Sequence, residues 1–181
     1  MYYGGKELAA AFRTVRNNTI QIAEDIPESN YAYSASPDTR TVGRLLVHIA
    51  LGPTFQLHMQ QNKVDDLAKV NFGELAGPLG AEEAKPRTKA EVIAFLKSEG
   101  DRFAAYVEGL PESFLAEQVK MPPGAEPATK SRLEMLLSPK EHEMHHRAQL
   151  MLIERMLGIV PHLTRQFQER MAAQAARQAQ R

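Results

Sequence analysis

EHEMHHRAQLMLIERML, Glu141 to Leu157, is the stretch from which the fold is read. On a helix of roughly 100° per residue, Ile153, Met156 and Leu157 gather on one side and mark the face expected to be buried. His142, His146 and Gln149 share that side, whereas Lys140, Glu143, Arg147, Glu154 and Arg155 fall on the opposite, wet side. Buried polar groups cost free energy unless they are paired, so three of them on one apolar stripe need a reason. Histidines four residues apart stand on adjacent turns with Cβ atoms about 6 Å apart. That lets both imidazoles reach one ion at about 2.1 Å. A lone core histidine is more often a satisfied polar group, but this pair on an apolar stripe points to a metal. His145 lies at the stripe's edge, open to a substrate or to water.

Two ligands do not make a stable site. Outside this helix the candidates are His48, His58, His162 and the carboxylates. His48 borders the apolar face of another predicted helix, with Gly52 one turn on to make room. His58 lies beyond Pro53 and points in an uncertain direction. His162 follows Pro161, past the end of the histidine helix. His48 is the first choice and His58 the reserve.

The letters His142-Glu143-x-x-His146 also spell the zinc signature of metallopeptidases, in which Glu143 would be the general base. The extended form of that motif wants glycine at 149 and histidine at 152, where this chain has Gln149 and Leu152. No edge strand for a peptide substrate is apparent either. The peptidase reading is disfavoured.

The rest of the chain reads as helical. Leu8, Phe12, Val15, Thr19 and Ile22 recur near helical period in a helix from about 6 to 26, ended by Pro27. A second helix runs from about Thr41 to His58 and contains Pro53. Residues 62–87 include GELAGPLG and read as a long loop. TKAE at Thr88 is a capping box that opens a third helix to about Glu108, with Val92, Phe95, Leu96, Phe103 and Val107 inward. Gly109 is suited to a left-handed cap. Residues 111–127 are proline-rich and irregular, and no strand alternation is convincing. SRLE at Ser131 and SPKE at Ser138 are both capping boxes, so either two helices meet at Ser138 or one kinks there. Gly158 stops the histidine helix and Pro161 starts a last one, whose end is expected to fray. The expectation is all-α: a four-helix bundle with long connections over 1–160 and a C-terminal helical extension over 161–181.

Composition narrows the function classes. The chain of 181 residues carries 22 Lys plus Arg against 22 Asp plus Glu, which argues against nucleic-acid binding. The basic C-terminal residues read as a solvated helix end. No cysteine is present, so disulfides, thiolate zinc ligands and thiol nucleophiles of the protein's own are excluded. The N-terminus lacks a signal-peptide pattern and no apolar run reaches bilayer length, so no membrane association and a cytoplasmic location are expected.

TVGRLLVHIA, Thr41 to Ala50, together with HEMHHRAQL, His142 to Leu150, resembles the DinB/YfiT-like superfamily of metalloenzymes. His48, His142 and His146 fall on that family's three ligand positions. Arg147 and Gln149 match its Arg-Gly-Gln, with Ala148 replacing the glycine. The resemblance implies a four-helix bundle, commonly a homodimer, holding a divalent metal such as zinc, nickel or iron. Three neutral histidines with one open position form a catalytic type of site, able to acidify a bound water or hold an external thiol as thiolate. The expected function is metal-dependent transfer of a low-molecular-weight thiol to a small-molecule substrate. A hydrolase using metal-bound water and a non-catalytic, stress-associated metal-binding protein are the alternatives. Gln149, His145 and Glu143 are the candidate catalytic residues. Met144, Ala148 and Met151, opposite the histidines, are a candidate self-association surface.

Overall fold

The structure, a computed structural model, describes residues 3–179. Four long helices form the bundle: α1 (Gly5–Asp25), α2 (Val42–Gln61), α4 (Lys89–Glu108) and α6 (Arg132–Met156). Between them lie α3 (Phe72–Glu83), the single turn α5 (Glu112–Leu115) and the strands β1 (Gln118–Lys120) and β2 (Thr129–Ser131); α7 (His162–Ala179) follows. α1 packs on α4 and α6, and α2 packs on the same two helices.

The start signals read from the sequence operate here. Thr88 and Ser131 each accept a hydrogen bond from the third helical backbone N–H, and Glu91 and Glu134 reciprocate. Gly158 takes φ +77° just past α6, a conformation that suits glycine. Gly109 ends α4 at φ −85°, so its cap is right-handed, contrary to expectation.

Three further expectations change, and one is narrowed. The region 62–87 is not a loop throughout, because α3 occupies Phe72–Glu83. Gly73, Gly77, Pro78 and Gly80 hide it, and only Glu83 of its residues is buried, so it has no apolar stripe to read. A short antiparallel hairpin pairs Val119 with Lys130, its first strand inside the stretch 111–127 expected to be irregular. Of the two alternatives at Ser138, one helix is found rather than two: α6 runs through Pro139. The buried side of α6 is turned from the wheel reading. Its buried residues are Arg132, Met135, Leu136, Pro139, Glu143, Leu150, Ile153 and Glu154. Their centre lies roughly 80° from His142 at 100° per residue. Glu143 and Glu154 therefore face inward, Met156 is 52% exposed, and the histidines stand at the border of the core rather than in it.

The core is divided in two. One half gathers Ile22, Leu46, Ile49, Leu96 and Ile153; the other gathers Phe12, Leu57, Phe103, Leu115 and Leu136. Between them in sequence on their own helices lie Arg16, Gly100 and Glu143. Arg16 Nε donates to both carboxylate oxygens of Glu143 at 2.9 and 3.0 Å. Its remaining nitrogens donate to the Leu96 carbonyl at 2.6 Å and the Ile49 carbonyl at 3.2 Å. One guanidinium thus joins α1, α2, α4 and α6. Gly100 makes the passage possible, since a Cβ there would sit 2.8 Å from Arg16 Cγ.

Candidate metal centre

This ionic layer is level with the histidines. Ile49, whose carbonyl Arg16 holds, follows His48 on α2, and Glu143 follows His142 on α6. The structure brings His48, His142 and His146 together: one potential ligand atom from each lies within 4.8 Å of the others. Ring centroids are 4.9 Å apart for His48–His142 and His48–His146, and 4.5 Å for His142–His146. It does not bring in the reserve, since His58 is exposed at the far end of α2. His162 is buried elsewhere, with Nε2 3.1 Å from Asn18 Oδ1.

Hydrogen bonds aim two of the rings. His48 Nδ1 lies 3.0 Å from Glu83 Oε2. Burial alone would raise the Glu83 carboxyl, but its bonds to Arg40 and His48 outweigh this and hold it below the usual range. An ionised carboxylate only accepts, so His48 Nδ1 donates and Nε2 presents a lone pair. His146 Nδ1 lies 2.7 Å from Gln149 Oε1, which frees its other nitrogen in the same way. His142 Nε2 is 3.0 Å from His48 Nε2. Its ring packs on Gly52, where a Cβ would come within 2.8 Å of Nδ1, so the room that glycine makes is for His142 and not for His48.

Burial lowers all three imidazole pKa values, that of His142 to about 4, and the positive charge of Arg40 adds to the shift in each. The rings are therefore neutral at pH 7, the form that ligates. With a lone pair on His48 Nε2, the 3.0 Å approach of His142 Nε2 calls for a proton or a cation between the two nitrogens, and His142 Nδ1 is buried with no hydrogen-bond partner. Ligands about 2.05 Å from a tetrahedral ion are about 3.3 Å apart, so the donor set fits a divalent metal.

The remaining candidates divide. Gln149 is exposed and acts on His146. His145 is exposed, its ring 4.9 Å from that of His146. Glu143 is 1% exposed and fully engaged by Arg16, so it is not the water-activating base that its motif suggests. Arg147 lies on the other side of α6, where its charge acts on His162. Glu83 is the site residue that sequence reasoning missed. The signal for its helix was Asn71, which caps α3 by accepting from the Glu74 N–H at 3.3 Å.

Two clefts flank the cluster. The larger, about 550 Å³, is bordered by His146, Gln149, Arg40 and Arg44; the smaller, about 340 Å³, by His48, His142, Phe55 and Glu83. Among the described residues no helix is long and apolar enough to cross a membrane.

The profile of the DinB superfamily matches residues 11–150, a span that contains all three histidines. The chain belongs to the DinB superfamily. Solved structures share its bundle. A DinB-like protein of Bacillus subtilis, YjoA, superposes with a TM-score of 0.61 at 19% identity, covering 84% of this chain and 92% of its own. YfiT of Bacillus subtilis, described as a probable metal-dependent hydrolase with an unusual four-helix bundle topology, gives 0.64 at 14% identity over 86% and 88%. An uncharacterised protein of Clostridium difficile 630 gives 0.65 at 13% identity over 86% and 98%. At these identities the likeness establishes the DinB fold. No curated protein matches the chain.

Proposed function

We propose that this DinB protein is a metal-dependent enzyme that joins a low-molecular-weight thiol to an electrophilic small molecule, with His48, His142 and His146 holding the ion. The observation that carries the reading is the pair of clefts, one lined by His146 and the other by His48 and His142, room for two reactants rather than one. A divalent ion held by three neutral imidazoles and left with an open position supplies Lewis acidity to an incoming nucleophile. The chain's own residues do the rest. Glu83 and Gln149 keep the ring protons of His48 and His146 on the outward nitrogens. Glu143 and Glu83, the carboxylates that adjoin the histidines, are both committed to arginines, which disfavours either as a base for water. With no cysteine in the chain, the sulfur must come from a diffusible thiol.

The test is turnover of a chromogenic aryl halide with cysteine, glutathione or coenzyme A, before and after chelation. Thiol-dependent turnover should be lost on chelation and in His142→Ala; activity that survives both refutes the proposal. The likeness to YfiT favours a hydrolase as the second reading, which would appear as metal-dependent ester or amide cleavage without any thiol.

We also propose that the protein works as a homodimer. Supporting this are exposed Met156 on α6, and Phe167 and Met171 on α7, at 50–60% exposure. Of the patch read from sequence, Met144 is exposed, but Met151 packs partly on the core. Sedimentation at micromolar concentration should give twice the chain mass, and a monomer would reject the dimer.

A further inference from the structure

The larger cleft has an unlike lining: the guanidiniums of Arg40 and Arg44, the apolar side chains of Leu45, Leu152 and Ile153, and His146 of the histidine cluster. Both arginines reach Glu83, yet neither is used up. Arg40 spends Nε at 2.7 Å and Arg44 one terminal nitrogen at 3.2 Å on the same oxygen, Glu83 Oε1. Among the described residues, the two terminal nitrogens of Arg40, and Nε and one terminal nitrogen of Arg44, have no protein acceptor. One carboxylate thus faces two guanidiniums that are 40% and 55% exposed. Asp38, on the exposed rim, forms no ion pair with either. Leu152, which lines the same cleft, is 60% exposed, an apolar surface that a ligand in the cleft would cover.

We propose that this cleft binds a small organic acid, its carboxylate on the free donors of Arg40 and Arg44 and its apolar body against Leu45, Leu152 and Ile153. The guanidinium fork matches a carboxylate in shape and charge. Arg40 lies near enough to act electrostatically on all three histidines, so an acid held there has its body beside the reactive centre. Glu83 links the two functions, because it aligns His48 with one oxygen and restrains both arginines with the other. The inference names the substrate class of the site and rests on the reading of that site as an enzyme's.

The experiment compares calorimetric binding of 4-phenylbutyrate and its uncharged amide to zinc-loaded and metal-stripped protein. The acid should bind at least about tenfold more tightly than the amide in both forms. In Arg44→Gln that preference should shrink to about threefold or less, with the zinc stoichiometry unchanged, and Arg44→Lys should keep part of it. Equal affinities in the unmodified protein, or no measurable binding of the acid, overturn the inference. So does a preference that appears only with zinc and survives Arg44→Gln, because the carboxylate is then ligating the ion. A protein that takes up no zinc but keeps the preference when stripped would refute the metalloenzyme reading and leave the acid site standing.

Discussion

Glu83 shows how one side chain sets the chemistry of another. The residue is 6% exposed, and its carboxylate fixes which nitrogen of His48 carries the proton. Replacing an orienting carboxylate of this kind usually weakens metal binding by about 10–100-fold. Glu83→Gln should therefore raise the zinc dissociation constant by about that factor in competition with a chromogenic chelator; an unchanged constant would show that His48 needs no such partner. The three histidines were legible from the sequence, two through their i, i+4 spacing and the third through the Thr41–Ala50 stretch. Glu83 was not, because nothing in the sequence says that a carboxylate 35 positions from His48 returns to it.

At the scale of elements, the amphipathic helices were readable and the others were not. α1 and α4 carry apolar residues at helical period and end at Pro27 and Gly109, so their limits fall within about a residue or two of those expected. α3 defies the same reading because its glycines and Pro78 resemble a loop. What holds it are the Asn71 cap, the stacking of Phe72 on Phe55 at 5.2 Å, and Glu83. The face of α6 was misjudged for a related reason: charged residues read as wet, and three of its buried positions are Arg132, Glu143 and Glu154. Glu154 lies near Asp25, Arg155 and, on α7, Arg165, and neither of its carboxylate oxygens has a hydrogen-bond partner. Burial, then repulsion from Asp25, raises its pKa from 4.5 to about 7. As pH rises above 4.5 the unfolded chain gives up a proton that the folded chain keeps, so stability is full below 4.5 and is lost as pH climbs through 7. Glu154→Met should raise the melting temperature at pH 8 more than at pH 5. Equal shifts at the two values would show that this carboxyl does not titrate in that window.

Over the whole molecule, the Arg16–Glu143 pair decides how the bundle holds its site. It divides the core and clamps α2 to α6 at the level where those helices present their histidines. Removing one partner of a buried pair leaves an uncompensated charge and commonly costs about 3–5 kcal/mol. Glu143→Gln should lose about that much in urea unfolding and should also weaken zinc binding as the helices lose their register. The double change Arg16→Met with Glu143→Leu should recover most of the stability, since no charge is then stranded. A loss below about 1 kcal/mol for the single change would show the layer to be incidental.

The same pair closes an evolutionary road. A peptide-cleaving descendant would have to release Glu143 toward the solvent side, and doing so would deprive Arg16 of its counter-ion in the middle of the scaffold. The scaffold would give up that stability before proteolysis could be selected, so the shared letters mark a keystone here and a reagent in the peptidases.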